Sequence, residues 1–424
     1  MMNSMPINPQ PAGDVIVIGA GIVGVCTAWN IARRGLKVTL IDQDEPGKGC
    51  SFGNAGAISF GSVAPLAMPG VLKDAIGMLF NPDAPLRIPL TYLPKAAPWL
   101  RQFVAAADRN EVERLARALA TILAHAMEKH QELSRDVGAP QLIRRSGQLY
   151  VYPSEKSLGK DAMSWRLRTE HGLKVQRVDQ GDIAELEPAV GPNYRFGYLT
   201  PDQGMSVEPY KLVVAVARDF VRQGGTLARD RVEEILLEGD RAAGVRTAHT
   251  QYAADHVVVC AGAWSMRLLS RLGYAIPLES QRGYHVMVPE PGVTVHRPVI
   301  AADRKVFFTP MEGGLRVAGT VEFGGLEKAP TRRRADVLVS HIRKVFPKAH
   351  EPASREYWMG HRPCLPDSLP VLGPSRHKGL WFNFGHGHLG LTMSATSGEI
   401  IAREIVGDRS NVDLAPFRAD RFEG

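Results

Sequence analysis

Two histidines stand one residue apart near the carboxyl end of the chain, in the run GHGHLGLTMS that spans Gly385 to Ser394. Imidazoles at positions i and i+2 face the same side only on a strand, and a useful metal site needs a third or fourth ligand. The run is equally typical of a glycine-rich entry into a helix, whose first N–H groups and positive dipole end attract electron-rich ligands. The spacing of the histidines leaves both interpretations open.

A second glycine-rich run, GAGIVG, follows the β-branched run DVIVI and precedes a helical stretch. Gly19 permits a tight turn, Gly21 lets a pyrophosphate approach the backbone, and Gly24 lets the helix and strand pack closely. Asp42 lies about 20 residues further on, at the end of the second predicted strand, where a carboxylate accepts hydrogen bonds from ribose hydroxyls. These features predict a dinucleotide site. A further nucleotide-type strand, VVVCAGAW, returns much later in the chain, which favours a permanently held FAD over NAD.

The chain has 424 residues, of which 44% are hydrophobic and 22% charged, as in ordinary soluble globular proteins, and it is long enough for two domains. Its net charge of +7 is spread along the chain, which argues against a nucleic-acid partner and favours a small anionic molecule or an anionic membrane surface. The four cysteines lack paired spacing and the first residues lack a signal peptide, so we expect a cytoplasmic protein. Peripheral association with the inner face of the cytoplasmic membrane and oligomerisation remain open.

The elements that must position these residues follow from hydrophobic periodicity. The first strand, a helix that begins near Ile22, and the strand KVTLID form a βαβ unit. A long amphipathic helix is predicted to begin with a capping box of Asn110 and Glu113 and to end at Gly138. The segment GHRPCLPDSLPVLG is predicted to be a loop, followed by the strand LWFNFG and a helix to about Val406.

The chain returns to the nucleotide strands from distant positions, which predicts two domains. We expect an α/β fold in which a discontinuous Rossmann-like FAD-binding domain comprises residues 12–62, 204–280 and 356–410. Residues 63–203 and 281–355 are expected to form a mixed-sheet, α+β substrate-binding domain with a helical insertion. The first βαβ unit, the meander near Val232 to Cys260 and the final strand and helix are predicted to belong to one sheet.

Four segments together resemble the FAD-dependent D-amino acid oxidase superfamily: DVIVIGAGIVGVCTAWNIARRGLKVTLID, GNAG followed by PG, VVVCAGAW, and GHRPCLPDSLPVLGP with GLWFNFGHGHLGLTMSATSG. The resemblance runs from about Asp14 to Gly407, and the loop from Ser51 to Gly70 is most similar to that of bacterial D-amino acid dehydrogenases. It implies non-covalent FAD, hydride transfer from Cα of a D-amino acid to flavin N5, and hydrolysis of the imino acid to a 2-oxo acid. Electrons would then pass to a quinone or another acceptor.

The resemblance also implies which residues meet the substrate. Arg362 of GHRP would bind the substrate carboxylate through two parallel hydrogen bonds, and the backbone carbonyl of His388 would lie near the substrate amine. Many relatives have a tyrosine on the strand that faces the substrate, where this chain has KVFFTP, so Tyr284 is the candidate to supply a phenol. Two alternatives stand beside these roles: Arg362 could pair with a structural acid such as Asp367, and Tyr284 could be an ordinary strand residue.

The run that begins at Gly385 would, by the same resemblance, wrap the pyrimidine edge of the flavin. A reduced flavin is negative at that edge, which suits the N–H groups of a helix start, so we predict no metal at the two histidines. Cys364 is offset from the cysteine through which some relatives attach FAD. The residues assigned to the cofactor are Gly19, Ala20, Gly21, Ile22, Val23, Gly24, Asp42, Gln43, Ser51, Asn54, Ala55, Gly56, Val232, Cys260, Ala261, Gly262, Trp264, Gly387, Leu389, Gly390, Leu391 and Thr392.

Other activities stand as alternatives to D-amino acid oxidation. The chain could be an oxidase or dehydrogenase of glycine, sarcosine or a cyclic D-imino acid such as D-proline or D-hydroxyproline, or a FAD-binding subunit of a hetero-oligomer without turnover of its own. The run TRRRAD is predicted to be a solvated helix start. Its alternative is a contact with anionic lipid, together with the apolar segment APLAMPGVLKDAIGMLF.

Overall fold

The computed structural model describes residues 10–11, 13–71, 81, 83–350 and 357–423. A six-stranded sheet contains, in spatial order, the strands Thr226–Arg229, Val38–Asp42, Val15–Ile18, His256–Val259, Leu380–Phe384 and Val371–Pro374. Neighbouring strands run parallel except for the last pair, which is antiparallel. The runs VIVI and VVV at its centre are fully buried, as expected for the continuous apolar strands of a parallel sheet covered on both faces.

Two helices cover one face of the six-stranded sheet and contact each other closely. Ile22–Ala32 and Gly390–Ile405 share one apolar core with the strand residues Val15 and Val17. A Cβ atom on Gly398 would lie 2.8 Å from the backbone of Cys26, so only glycine allows the two helices to approach this closely. The starts of both helices are thereby brought to the same end of the sheet region.

The opposite face of the six-stranded sheet packs on a separate four-stranded sheet, through a core that joins Ile16 and Ile18 to Ile235 and Val245. The four strands, in spatial order, are Gln10–Pro11, Gln251–Ala253, Arg241–Thr247 and Val232–Glu238. The prediction that the meander near Val232 to Cys260 and the final strand belong to the same sheet as the first βαβ unit is confirmed for His256–Val259 and Leu380–Phe384. It is wrong for the strands between Val232 and Ala253. Their antiparallel hairpins pair with one another, so they form a layer of their own.

A nine-stranded mixed sheet forms the second large layer. Its spatial order is Tyr357–Cys364, Glu279–Val288, Gly314–Phe323, Val306–Met311, Val299–Ala301, Gln148–Tyr152, Phe196–Thr200 and Gln176–Asp179, with Leu86–Arg87 also paired to Gly314–Phe323. Side chains alternate between the faces of a sheet. One face packs on the helix Arg332–Val345 around Phe308 and Phe346, and the other face carries residues of the candidate site.

A three-stranded sheet and further helices complete the described part of the chain. The sheet has the spatial order Ala57–Ile58, Gly204–Ser206 and Ile143–Arg144. The other α-helices are Leu93–Ala105, Arg109–Leu123, Ala126–Asp136, Glu155–Lys160, Ala162–Glu170, Gln180–Leu186, Pro209–Arg222 and Ser265–Leu269. Short 3₁₀ helices span Leu90–Tyr92, Pro140–Leu142, Gly262–Trp264, Ser270–Leu272, Ala415–Phe417 and Ala419–Phe422.

The α/β fold with mixed sheets that the sequence predicts is confirmed, whereas several local predictions are wrong. The long amphipathic helix is two helices, Arg109–Leu123 and Ala126–Asp136, because His125 between them has a left-handed backbone with φ of 61°. The first helix is capped by Asp108, whose carboxylate accepts a hydrogen bond from the Asn110 N–H at 2.9 Å. The N-cap residue is therefore Asp108, two residues before Asn110, with which the predicted capping box begins.

The segment GHRPCLPDSLPVLG is a loop only in its middle. Its first residues complete the strand Tyr357–Cys364, and its last residues begin the strand Val371–Pro374. The first of these strands pairs with Glu279–Val288 in the nine-stranded sheet, although the predicted domain boundaries group it with the FAD-binding segments. The division into domains otherwise stays a prediction.

The basic run TRRRAD opens the helix Arg332–Val345, but it is not simply solvated. Arg333 pairs with Asp83 at 2.9 Å, and Arg334 is buried, with Nη2 donating to the carbonyl oxygen of Ala84 at 2.7 Å. Most of the apolar segment proposed as its lipid-binding companion lies outside the described residues. Within the described ranges, no helix is long and apolar enough to cross a bilayer.

Candidate active site

The glycine fingerprint forms a turn that no larger residue fits. Gly19 has φ of 102°, and a Cβ atom there would lie 2.6 Å from the carbonyl oxygen of Cys260. A Cβ atom on Gly24 would lie 1.7 Å from the carbonyl oxygen of Gly19. The helix that follows, Ile22–Ala32, has a glycine as its N-cap residue and no acidic residue in its first turn. Apart from the Ile22 N–H, which Ser51 binds, the N–H groups of that turn have no intrahelical partner and lie at the positive end of the helix dipole.

Asp42 and Ser51 both form hydrogen bonds with backbone N–H groups of this turn. Asp42 Oδ2 accepts a hydrogen bond from the Ala20 N–H at 2.6 Å, and Oδ1 accepts one from the Asp44 N–H at 3.0 Å. Burial raises the pKa of the Asp42 carboxyl, and each oxygen keeps a lone pair for a ribose hydroxyl. The Ser51 hydroxyl accepts a hydrogen bond from the Ile22 N–H at 2.9 Å, so the Gly/Ser loop closes over the helix start.

The strand His256–Val259 delivers the next predicted group to the same place. The Cys260 N–H donates to the carbonyl oxygen of Ile18 at 2.8 Å, beside the glycine turn. Gly262, with φ of 53°, opens the short helix that carries Trp264. The backbone N–H of Asp230 donates to the carbonyl oxygen of Asp42 at 2.9 Å, which brings the nearby strand start at Val232 toward Asp42. Gln43 is exposed beside Asp42, and Ala55, Ala261 and Val23 lie within the same segments.

Two side chains of the nine-stranded sheet hold the loop that contains Asn54. The Arg316 guanidinium donates from Nη1 to the carbonyl oxygen of Asn54 at 2.7 Å. His285 Nδ1 lies 2.9 Å from the carbonyl oxygen of Gly53 and therefore donates a proton to it. Burial lowers the pKa of His285 to about 4, so this imidazole is neutral. The Asn54 side chain also accepts from the Gly56 N–H at 2.8 Å, which fixes the turn from within.

Sequence reasoning did not assign these contacts. His285 stands in the strand QRGYHVMV, where a polar residue among apolar ones is a visible signal, but its acceptor lies more than 200 positions away in the chain. Trp358 stacks on the His285 ring with 5.3 Å between ring centroids, and it comes from yet another strand. The register between strands had to be known before either side chain could be placed.

The histidine-containing residues 385–389 form a loop that leads into the helix Gly390–Ile405. Gly385 and Gly387 have φ of 85° and 55°, and the helix has no side-chain cap, so the N–H groups of its first turn, at Gly390, Leu391 and Thr392, are free of intrahelical partners. The Thr392 hydroxyl accepts a hydrogen bond from the Ser59 N–H at 3.2 Å. The helix start is thereby attached to the strand that follows the Asn54 loop. Leu389, the residue before the helix, is buried.

The two histidines of this run differ in their surroundings. His386 is buried, and its Nε2 atom has no hydrogen-bond partner among the described residues. The His388 side chain is accessible to solvent, although protein atoms surround it closely. Burial lowers the pKa of His386 to about 3 and, with the Arg362 and Arg168 guanidiniums, that of His388 to about 4. Within the described ranges, no group of three His, Cys, Asp or Glu residues is arranged to hold a metal.

Arg362 lies on the edge strand of the nine-stranded sheet, with its guanidinium directly over Gly283 of the neighbouring strand. A Cβ atom on Gly283 would lie 2.4 Å from the guanidinium carbon. Arg362 Nη1 donates a long hydrogen bond of 3.5 Å to the carbonyl oxygen of Thr320, and in the described part of the chain no carboxylate pairs with it. The alternative pairing with Asp367 is wrong, because Asp367 binds Arg421 at 2.8 Å. Arg362 is therefore a half-buried cation that has no carboxylate counter-ion among the residues that the structure describes.

Tyr284 is not brought to Arg362. Strand alternation directs it to the opposite face of the sheet, where its hydroxyl donates to Glu322 Oε2 at 2.6 Å and accepts from the Thr331 N–H at 3.0 Å. Tyr284 and Glu322 are buried on that face, so the Tyr284 hydroxyl is not available to a substrate bound at Arg362. Phe308 of KVFFTP is likewise buried on that face, whereas Phe307 is half-buried and shares a face with Ala318.

These residues fit a bound FAD. A glycine turn that a Cβ atom would fill, an acid at the end of the second strand and two uncapped helix starts are the donor set that a dinucleotide flavin requires. Cys364 is a poor candidate for a covalent link, because burial raises the pKa of its thiol to about 12 and the thiolate is the reactive form.

Known proteins are similar to this chain over nearly its whole length. The family described as FAD dependent oxidoreductase (DAO) matches residues 14–404. The chain is 39% identical over 421 residues to a D-amino-acid oxidase of Bradyrhizobium diazoefficiens, covering 97% of this chain and 100% of that protein. It is 32% identical over 432 residues to D-amino acid dehydrogenase 2 of Ralstonia nicotianae, covering 96% and 100%.

Among solved structures, L-proline dehydrogenase from P. horikoshii superposes with a TM-score of 0.75 at 19% identity, covering 98% of this chain and 99% of that one. At this identity the likeness concerns the fold alone. The match over nearly the whole chain shows that the chain belongs to the DAO family of FAD-dependent oxidoreductases.

Proposed function

We propose that this enzyme oxidises the Cα–N bond of a D-amino acid to an imino acid, which water then hydrolyses to a 2-oxo acid and ammonia. The observation that carries the proposal is the Arg362 guanidinium, which lies deep in the chain without a carboxylate partner among the described residues. Such a cation needs an anionic ligand, and the α-carboxylate of an amino acid matches its planar fork. The names of the similar proteins from Bradyrhizobium and Ralstonia support the D configuration.

Bound FAD supplies an acceptor for the hydride that leaves Cα. The residues proposed to hold it are those of the glycine turn, Asp42, the Ser51–Gly56 loop, the Cys260–Trp264 segment and the loop before Gly390. The uncapped start of the helix Gly390–Ile405 offers N–H donors and a positive dipole end, which would stabilise the negative charge of the reduced cofactor if its pyrimidine edge binds there, as proposed.

The protein groups orient the substrate rather than exchange protons with it. Arg362 binds the carboxylate and fixes the direction of the Cα–H bond, which is the alignment that hydride transfer needs. The backbone carbonyl of His388 is proposed to accept a hydrogen bond from the amine. The His388 side chain, with a pKa of about 4, adds no positive charge near that amine at neutral pH.

We further propose that electrons leave to a quinone or another acceptor, and that the enzyme works in the cytoplasm or at the inner face of the membrane. The similar proteins bear the names oxidase and dehydrogenase, so oxygen and a quinone are the two acceptors to compare. Reoxidation of the substrate-reduced enzyme by air or by a soluble quinone distinguishes them, and co-sedimentation with anionic vesicles tests the location. Gel filtration of the holoenzyme gives its oligomeric state.

The experiment that tests the activity is anaerobic mixing of the yellow holoenzyme with single amino acids. We expect D-amino acids to remove the absorption of the oxidised flavin and their L-enantiomers to leave it unchanged. Faster bleaching by glycine, sarcosine or D-proline than by any D-amino acid with a primary amine would favour the alternative substrates. A yellow protein that no amino acid bleaches would favour a subunit without turnover of its own.

A further inference from the structure

A second arginine has donors that are unpartnered within the described ranges, and it is unused by the function proposed above. Arg168 lies on the helix Ala162–Glu170, and its Nε and Nη1 atoms are buried without a hydrogen-bond partner among the described residues. Its guanidinium stacks on two rings, 5.2 Å from the centroid of Tyr150 and 4.7 Å from that of Trp165. The aromatic rings hold the cation in place but give its N–H groups no acceptor.

Strand register places Arg168 on the same face of the nine-stranded sheet as Arg362. Across neighbouring strands Tyr150 pairs with Ile300, Ile300 with Phe307, Phe307 with Ala318, and Ala318 with His285, so these five residues share one face. Two positions before His285 on the same strand is Gly283, which lies under the guanidinium of Arg362.

His388 connects the two arginines in space. Both guanidiniums lie near enough to its imidazole to lower the pKa of that group. Ser59 provides a second connection, because its N–H donates to Thr392 at the helix start and its hydroxyl donates to Gln148, the neighbour of the Tyr150 hydroxyl. These contacts connect the start of the helix Gly390–Ile405 to Tyr150, the ring on which Arg168 stacks.

The charge of Arg168 is not balanced by the acids around it. Asp161, the N-cap residue of the same helix, accepts a hydrogen bond from the Tyr152 hydroxyl at 2.9 Å. Glu170 on the same helix binds Arg166 at 2.8 Å. In the described part of the chain no carboxylate lies within ion-pair distance of Arg168.

Other buried arginines have protein acceptors. Arg282 lies 3.3 Å from Glu322, and Arg316 donates to the carbonyl oxygen of Asn54. Leaving a buried cation unpaired is costly, and the cost is removed when a ligand supplies an anion. Arg168 and Arg362 are half-buried, and among the described residues neither has a carboxylate partner.

We propose that Arg168 binds a second carboxylate, at the end of the substrate side chain, so that the preferred substrates are acidic D-amino acids. This inference rests on the proposed function for the reacting end of the substrate, whereas the recognition of two carboxylates by two arginines does not depend on turnover. Arg168 would then be the residue that determines specificity for the side chain.

The test measures binding and turnover separately in the holoenzyme. Isothermal titration with succinate, glutarate and adipate is compared with titration with glutaramate, the monoamide of glutarate. We expect at least one dicarboxylate to bind about tenfold or more tightly than the monoamide, as expected for a charge-assisted pair in a buried site. In Arg168→Gln that preference should fall to less than about twofold.

The matched control is Arg166→Gln, which removes an exposed arginine from the same helix that pairs with Glu113 and Glu170. It should keep the wild-type preference. In turnover, kcat/KM for D-glutamate relative to D-glutamine should fall about tenfold in Arg168→Gln, while kcat/KM for D-alanine stays within about threefold.

Each outcome decides between the hypotheses. Equal binding of dicarboxylates and the monoamide by the wild-type enzyme, or an unchanged preference in Arg168→Gln, would overturn the inference. An equal loss for D-glutamate and D-alanine would show that Arg168 only packs against its two rings, which also overturns it. Tight, Arg168-dependent binding of a dicarboxylate without bleaching by any D-amino acid would leave the inference standing and overturn the proposed function.

Discussion

Replacement of Arg362 by alanine is the most direct test of how the substrate is held. In the structure this guanidinium makes one long protein contact, the 3.5 Å hydrogen bond to the carbonyl oxygen of Thr320, so nearly all of its donors remain for a ligand. Two charge-assisted hydrogen bonds contribute about 1.5 to 3 kcal/mol each. Removal of the buried cation also removes its desolvation cost, which offsets part of that loss, so we expect a net loss of about 3 kcal/mol.

That loss corresponds to a rise in KM of about 10²-fold or more for every substrate with a carboxylate. The assay is steady-state kinetics with D-alanine and D-glutamate, together with the ratio of flavin to protein. FAD should stay bound, because the glycine turn and Asp42 do not contact Arg362. The control variant is Arg421→Ala, which removes the partner of Asp367 and should cost stability without changing KM. An Arg362→Ala enzyme with the wild-type KM would refute the assignment.

Three further predictions follow from contacts around the site. Gly283→Ala places a methyl group 2.4 Å from the Arg362 guanidinium carbon, so KM for D-alanine should rise about tenfold or more, as measured by initial rates. Arg316→Met removes the hydrogen bond that holds the Asn54 loop, so FAD should bind the apoprotein about tenfold more weakly in a fluorescence titration. Burial lowers the pKa of His130 to about 4, below its unfolded value of about 6.5, so the unfolded chain binds more protons between these pH values. The free energy of unfolding should therefore fall as pH drops through that window, by up to about 1.4 kcal/mol per pH unit from this group, and urea titrations of His130→Asn should show a shallower fall.

The parts of the site that lie close together in sequence could be predicted, and those set by strand register could not. The turn at Gly19, the acid at Asp42 and the helix that begins at Gly390 are each encoded within one strand-turn-helix unit, so their geometry follows from local residue types. Tyr284 failed as a candidate because its face of the sheet depends on the pairing of Glu279–Val288 with two other strands. A shift of one residue in that pairing exchanges the two faces.

The same reason explains the fold predictions that were wrong. The break at His125 depends on one left-handed residue in a segment whose apolar spacing continues on both sides, so periodicity alone joins the two helices. The strand character of GHRPC depends on hydrogen bonds to Glu279–Val288, a partner some distance along the chain. Local patterns identify elements with their own caps and periodicity, and long-range pairing decides the rest.

The electrostatics of the site are fixed rather than titratable, and this bears on which ligands it selects. Burial holds the imidazoles of His285, His386 and His388 neutral, with pKa values of about 4, 3 and 4. Positive potential therefore comes from guanidiniums and from the uncapped helix starts, neither of which changes between pH 5 and 9 to any extent. In the proposed function, the Arg362 guanidinium balances the α-carboxylate of the substrate. The start of the helix Gly390–Ile405 stabilises the negative charge of the reduced flavin. Arg168 is then a cation in excess of what a monocarboxylic substrate requires, and a second carboxylate is the ligand group that balances it.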